Sequence, residues 1–120
     1  MALANPNGRK GSLFETGVMK KLRELGAKVE RLTKAGKNDE GDLCVVIAGK
    51  TYILELKDWA KWNLPQFWRE ATLEAANYAK ARGLEQTPPC YVVVKRRNSG
   101  IEKSWVIQDL ESWLADKNTL

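Results

Sequence analysis

Apolar residues recur at helical spacing in three segments of the chain. Between residues 13 and 25 they lie three or four positions apart, and Gly26 follows as a C-terminal stop. An alanine-rich helix is predicted from about residue 65 to 82, with proline in its first turn and Gly83 after its end. A short helix from about residue 109 to 115 is predicted to close the domain.

Five further segments have the composition of short strands. Polar and apolar residues alternate in some of them, and in others apolar residues run together. The predicted strands are residues 28–32, 42–47, 52–57, 91–95 and 103–108. The order is therefore αβββαββα, and the helix after the third strand implies a right-handed crossover to a parallel fourth strand. The sequence thus predicts an α/β fold, with a mixed central sheet and helices packed against its faces.

The length of the chain, 120 residues, fits one folded domain. We divide it into a flexible basic N-terminal arm (residues 1–10), a single domain (residues 11–116) and a C-terminal tail (residues 117–120). No apolar run approaches the roughly 20 residues that span a bilayer, and the first ten residues lack the apolar middle of a secretory signal. We therefore predict a cytoplasmic protein with no membrane partner.

Charge and the missing histidine narrow the chemistry. Lysine and arginine outnumber the acids 20 to 15, and this net charge of +5 suits a polyanionic partner such as nucleic acid. The chain contains no histidine, which excludes Ser-His-Asp and Cys-His catalysis and histidine-based zinc sites. Cys44 and Cys90, each beside an apolar run, are expected to be buried, reduced thiols. Any enzymatic site is therefore expected to bind a hard cation through oxygen ligands.

Two acids and a lysine are predicted to meet on one hairpin. Glu55 and Lys57 are two positions apart in a strand, so they lie on the same face. A two-residue type II′ turn at Gly49-Lys50 would place Asp42 opposite Lys57 and diagonal to Glu55. A loop with an odd number of residues would instead place Asp42 on the other face.

This cluster suits phosphodiester hydrolysis. Two carboxylates can bind one or two Mg²⁺ ions, with Mn²⁺ as a substitute, and the backbone carbonyl of Leu56 is a natural additional ligand. A lysine can orient the attacking water and stabilise developing charge. The alternative for a Glu-x-Lys strand is a solvated face or a cross-strand ion pair, and the matched Asp42 and the apolar flanks favour the functional reading.

The motif Gly41-Asp42, followed after a hairpin by Glu55-Leu56-Lys57, resembles the PD-(D/E)xK nuclease superfamily. Gly41 stands where that motif usually has proline. The run from Arg9 to Glu15 and the order of elements resemble, more specifically, archaeal-type Holliday junction resolvases, from residue 9 to about 114. The resemblance implies a restriction-endonuclease-like αβββαββα core.

The resemblance also implies roles for four residues. Glu15 would join Asp42 and Glu55 around the metal, and Lys57 would be the catalytic lysine. Glu15 has a structural alternative, because Ser12 and Glu15 have the spacing of a capping box at a helix start. Both readings of Glu15 stay open at this point.

Basic residues near the predicted catalytic edge are candidate contacts to DNA phosphates. Some of them are expected to be ordinary solvated side chains, and phosphate contacts position the DNA without reading its sequence. The candidates are Arg9, Lys10, Lys34, Lys37, Lys95, Arg96 and Arg97.

Aromatic residues crowd the segment after Lys57. Four of them fall within ten residues, more than one small core readily absorbs, which indicates an exposed apolar patch. The resemblance implies a homodimer, and we expect Phe67 and Trp68 at its interface rather than a base-stacking wedge. Trp105 and Trp113 are expected to be core residues.

Three functions are compatible with these features. The favoured one is a homodimeric, Mg²⁺-dependent, structure-selective endonuclease that resolves four-way (Holliday) DNA junctions by paired hydrolytic nicks, leaving 5′-phosphate and 3′-hydroxyl ends. The second is another nuclease of the same superfamily that acts on linear duplex DNA in repair or restriction. The third, from a different class, is a non-catalytic DNA-binding module of the same fold.

Overall fold

The structure, a computed structural model, describes residues 6–32 and 39–117, with side chains from Gly11 onward. Within these residues, three helices and five strands follow one another in the predicted order, and one short 3₁₀ helix precedes the last strand. In chain order they are α1 (Pro6–Glu24), β1 (Lys28–Arg31), β2 (Leu43–Ile47), β3 (Lys50–Lys57), α2 (Leu64–Ala81), β4 (Cys90–Val94), the 3₁₀ helix (Ile101–Lys103), β5 (Trp105–Ile107) and α3 (Leu110–Lys117).

The five strands form one mixed sheet in the spatial order β1-β2-β3-β4-β5. β3 and β4 pair in parallel, and the other neighbours pair antiparallel. The parallel pair exists because α2 carries the chain from the end of β3 back to the start of β4. The predicted fold class, a mixed sheet with helices on its faces, is confirmed.

Each face of the sheet is covered by one long helix. Phe67 and Ala71 of α2 pack with Ile53 and Val92 in one buried cluster. Because strand residues alternate between faces, Glu55 and Lys57 lie on the same side of β3 as Ile53. Two of the catalytic candidates, Glu55 and Lys57, are therefore on the face that α2 covers.

The opposite face belongs to α1. Phe14 and Val18 pack with Leu43, Leu54 and Val93 in a second buried cluster. These helix residues are the apolar stripe that the sequence predicts. The two clusters share no residue, so the sheet divides the core into two layers.

The first helix is longer than predicted. It begins at Pro6, so residues 6–10, expected to belong to a flexible arm, are helical. Proline suits the first turn of a helix, but the polar stretch after it carries no apolar period from which a helix could be predicted. Ser12 is consequently in the helix interior, so the capping-box reading of Glu15 is wrong. Residues 1–5 and 118–120, assigned to the arm and the tail, lie outside the described residues.

Two predictions about buried residues have different outcomes. Cys44 and Cys90 are buried free thiols, as predicted. Trp105 and Trp113 are 44% and 47% exposed, so their prediction as core residues was wrong. β5 lies at an edge of the sheet and α3 buries no residue, which leaves both indoles partly in solvent. Among the described helices, none has the length and apolar character needed to cross a membrane.

Candidate active site

The turn between β2 and β3 determines which residues meet. Its central residues are Ala48 and Gly49, with φ of 50° and 80°, as a type I′ turn requires. Ile47 pairs with Lys50 across it. The predicted type II′ turn at Gly49-Lys50 is therefore wrong by one residue, although the loop keeps the even length on which the predicted face depends.

This correction moves the partner of Asp42 by two positions. Leu43 pairs with Leu54, and the Asp42 backbone N–H donates to the Leu54 carbonyl at 3.1 Å. The continued register places Asp42 opposite Glu55, not opposite Lys57. Asp42 Oδ2 also accepts a hydrogen bond of 2.6 Å from the backbone N–H of Leu56. The acid is thus attached to β3 by main-chain groups, on the face that α2 covers.

The backbone at Gly41 could not accommodate the proline that usually stands at this position in the motif that the sequence resembles. Its φ is +104°, whereas proline is restricted to about −65°. A Cβ atom at Gly41 would also lie 2.9 Å from Ile53 Cγ2. Glycine is the residue that the backbone before Asp42 requires here.

Two glutamates of α2 complete the site, and the sequence reasoning missed both. Glu55, Glu70 and Glu74 can each place one carboxylate oxygen within 4.8 Å of the other two. Glu70 and Glu74 are four residues apart, each directly before an alanine of the buried helix stripe. Two acids four residues apart lie on the same face of a helix. Their position beside the apolar stripe of the crossover helix was the sequence signal that could have predicted them at the site.

Lys57 lies between these acids. Its ammonium nitrogen is 2.8 Å from Glu70 Oε2 and 3.7 Å from Glu55 Oε2. The ring centroids of Trp59 and Phe67 lie 5.5 Å and 5.2 Å from the Lys57 ammonium nitrogen. Burial alone would lower the pKa of Lys57, but the hydrogen bond with Glu70 and the charges of the surrounding glutamates outweigh burial and raise it. Lys57 is therefore held as an ammonium group.

The buried acids are strongly perturbed. Burial, hydrogen bonds with Asp42 and Glu74 and the charges of those two carboxylates raise the pKa of Glu55 far above its ordinary value. Burial is again the largest cause for Glu74, whose pKa rises to about 7 against the lowering effect of its hydrogen bond with Glu55. Carboxyl groups buried this close cannot all ionise unless a cation joins them.

The donor atoms suit a hard divalent cation. Asp42, Glu55 and Glu74 all offer carboxylate oxygens as metal ligands, the type of ligand that Mg²⁺ and Mn²⁺ prefer. Glu74 Oε2 is buried and accepts no hydrogen bond from an N–H or hydroxyl group among the described residues. A buried oxygen without a donor is costly in a folded chain, and a cation would remove that cost.

Glu15 belongs to a different helix from the α2 acids. It is on α1, the helix that covers the opposite face of the sheet. Its carboxylate forms an ion pair of 2.8 Å with Arg31 Nε, and Arg31 also donates to Thr16. Its role as a metal ligand, like that of the Leu56 carbonyl, stays a prediction.

The basic residues that follow β4 lie beside the end of β3. The backbone N–H of Lys95 donates to the Lys57 carbonyl at 2.9 Å. Lys95 and Arg97 flank the buried carboxylate of Asp58, at 3.8 Å and 3.3 Å. The Arg96 guanidinium lies 4.8 Å from the centre of the Trp105 ring. A basic surface therefore adjoins Lys57.

Four further candidate DNA contacts involve parts of the chain that the structure does not describe. Lys34 and Lys37 lie outside the described residues, as do the side chains of Arg9 and Lys10.

The aromatic patch is smaller than predicted. Phe67 is fully buried, so its prediction as an interface residue was wrong. It lies on the apolar stripe of α2, and the Trp59 ring packs against it at an interplanar angle of 74°, with the ring centroids 5.3 Å apart. Trp68 is half-buried against the same cluster. Trp59 and Trp62, 47% and 45% exposed, form the solvent-facing part of the patch.

These elements define a restriction-endonuclease-like α/β fold. A solved structure that shares it is that of Hjc from Archaeoglobus fulgidus, a Holliday junction resolvase from an archaeal hyperthermophile. The two are similar with a TM-score of 0.52 and 14% sequence identity, over 88% of this chain and 93% of that chain. At this identity the likeness establishes a common fold. No protein-family model matches the sequence, and no curated protein matches it either.

Proposed function

We propose that this protein is a divalent-metal-dependent DNA endonuclease that cuts four-way junctions. One observation carries the proposal: Asp42, Glu55 and Lys57 converge, buried, where β3 ends in a restriction-endonuclease-like sheet. A solvated strand face, the simpler reading of a Glu-x-Lys pattern, would leave these side chains in water. They are instead 2%, 5% and 7% exposed.

Asp42 and Glu55 would hold Mg²⁺ or Mn²⁺, with the Leu56 carbonyl as an additional ligand. A bound ion would neutralise the scissile phosphate and lower the pKa of a water molecule. Glu15 belongs to this ligand set in our proposal, but its carboxylate first has to leave Arg31. Asp42 needs no such rearrangement, because the Leu56 N–H already fixes one of its oxygens.

Lys57 would act on the water and on the phosphate. Its ammonium group can orient the attacking water and stabilise the charge that develops on the phosphate oxygens. The water oxygen forms the new bond to phosphorus while the bond to the 3′ oxygen breaks, which leaves 5′-phosphate and 3′-hydroxyl ends. Glu70 holds the ammonium in place before DNA binds.

The basic residues after β4 would position the DNA backbone. Lys95 and Arg97 share the carboxylate of Asp58, which fixes them beside the end of β3. Arg9, Lys10, Lys34 and Lys37 are proposed as further phosphate contacts. We further propose a homodimer, because two related active sites suit a two-fold junction. Trp68, with the exposed Trp59 and Trp62, is the proposed contact region.

The test compares two substrates. The purified protein is incubated with Mg²⁺ and either a labelled four-way junction or a linear duplex of the same arm sequence. We expect paired nicks in the junction and a loss of at least about 100-fold in rate for Asp42→Asn, a change of about 3 kcal/mol in the barrier. Glu111→Gln, on an exposed part of α3, is the matched control and should cut normally.

Two other outcomes select the alternatives. Equal cutting of the junction and the duplex would favour a nuclease of linear DNA. Tight binding of the junction without any cutting, in Mg²⁺ and in Mn²⁺, would favour a DNA-binding module.

A further inference from the structure

The acids of α2 place more negative charge at the site than one cation can balance. Asp42, Glu55, Glu70 and Glu74 face one another or Lys57 across a few ångströms. Lys57 contributes one positive charge, and one divalent ion would contribute two. A fully ionised group of four carboxylates would still carry excess negative charge in a largely buried place.

Glu74 gives the sharpest indication of a missing ligand. It is 8% exposed, and no N–H or hydroxyl group among the described residues donates to its Oε2. That oxygen faces Gly41, since it lies 3.8 Å from the position a Cβ would take there. The unpartnered oxygen is therefore aimed at the turn that carries Asp42.

Glu70 gives the group its opening to solvent. Its side chain is 34% exposed, whereas that of Glu55 is 7% exposed. Gln66 Nε2 donates to Glu70 Oε1 at 3.0 Å, and Lys57 donates to Glu70 Oε2. Both oxygens are thus oriented by neighbours that an entering ion can replace or share.

We infer that Glu55, Glu70 and Glu74 form a second divalent-cation site beside that of Asp42 and Glu55, with Glu55 common to both. The 4.8 Å limit that contains their oxygens suits one small ion, because oxygens on opposite sides of Mg²⁺ are about 4.2 Å apart. Occupancy of this site would draw Glu70 from Lys57 and release the ammonium towards substrate. Any catalytic role of the second ion rests on the proposed nuclease function, but cation binding itself does not.

The competing explanation is that protons, not metal ions, hold the acids together. Neutral Glu55 and Glu74 can share a hydrogen bond without any metal ion. The two explanations differ in what Mn²⁺ does. If protons hold the acids together, no ion binds at Glu74, and replacing Glu74 would leave Mn²⁺ binding unchanged.

The experiment counts Mn²⁺ ions on the full-length protein without DNA, by isothermal titration calorimetry and by the EPR signal of free Mn²⁺ at pH 7.5. We expect about two ions per chain for the wild type. Glu74→Gln should retain about one, or bind the second about tenfold or more weakly. Asp42→Asn should retain the ion at the α2 acids. Glu85→Gln, on the exposed segment after α2, is the control and should bind as the wild type does.

Glu70→Gln provides an independent variant, because its partly exposed side chain can be replaced without disturbing the core. It should weaken the same ion, with an unchanged circular dichroism spectrum. The inference is overturned if the wild type binds a single ion, or if both Glu74→Gln and Glu70→Gln bind Mn²⁺ as tightly as the wild type. Loss of the second ion in a protein that cuts no DNA would refute the proposed function and leave this site standing.

Discussion

Replacing Glu55 by glutamine should stabilise the protein when no metal is present. In the folded chain Glu55 is 5% exposed and its pKa is raised by burial and by neighbouring acids, whereas in the unfolded chain it ionises near 4.5. Above that pH the folded state therefore holds a proton that the unfolded state releases. The stability linked to Glu55 is fully present below pH 4.5 and is lost as the pH rises. Glutamine has the same shape and no charge, so it removes this loss.

The size of the effect follows from the pH interval. Each pH unit above the unfolded pKa costs up to about 1.4 kcal/mol of unfolding free energy. Between pH 4.5 and 7.5 the upper bound is thus about 4 kcal/mol. The effective dielectric of real interiors and local rearrangement reduce it, and we expect Glu55→Gln to be about 1–2 kcal/mol more stable at pH 7.5. At pH 5 the two proteins should differ little.

The assay is urea denaturation in EDTA at pH 5, 6, 7 and 8, followed by the fluorescence of the tryptophans. Glu30→Gln, an exposed position on β1, is the control and should show no pH-dependent gain. Addition of Mg²⁺ should narrow the difference at pH 7.5, because an ion that binds the folded state stabilises the wild type. A Glu55→Gln protein that is less stable than the wild type at every pH, by a constant amount, would refute this reasoning.

Three further predictions follow from packing and charge. Phe67→Ala should lower the free energy of unfolding, measured by urea denaturation, by about 3–5 kcal/mol, because the Phe67 ring is fully buried. Loss of a dimer with unchanged subunit stability would contradict the place of Phe67 in the core. Gly41→Ala should lower the free energy of unfolding by about 1–3 kcal/mol, because alanine rarely adopts a φ of +104° and its Cβ would lie 2.9 Å from Ile53. An unchanged urea denaturation curve would refute this strain. Arg97→Ala should weaken DNA binding and reduce the salt dependence by about one phosphate, measured by fluorescence anisotropy against salt concentration; an unchanged slope would remove Arg97 from the DNA contacts.

The sequence was sufficient for the order of elements and for the face on which the catalytic candidates lie. Glu55 and Lys57 share a face because they are two positions apart in a strand, and any even-numbered loop puts Asp42 there as well. The register could not be predicted, because a turn at Ala48-Gly49 and a turn at Gly49-Lys50 both have a two-residue loop and place Asp42 on the same face. Only the left-handed φ of Ala48, which is unusual for alanine, separates them.

The α2 acids and Phe67 show a different limit. A helix reveals its apolar stripe in the sequence, but the residues beside the stripe can face a site or solvent depending on how the helix is rotated against the sheet. Glu70 and Glu74 fall on the side nearest Lys57, and this rotation is a tertiary property. Phe67 was likewise counted with exposed aromatics because sequence crowding does not tell which ring enters the core.

The bond from the Leu56 N–H to Asp42 Oδ2 has a consequence for how such a site can persist while sequences drift. The Asp42 carboxylate accepts the Leu56 N–H where a backbone carbonyl of β2 would otherwise accept it. The side chain thus extends the β2–β3 hydrogen-bond ladder. Its position is therefore set by main-chain atoms, which every residue type supplies, and not by the particular apolar neighbours beneath it. Cores of quite different composition can carry the same acid at the same place. Substitutions in the core should therefore alter stability well before they displace Asp42.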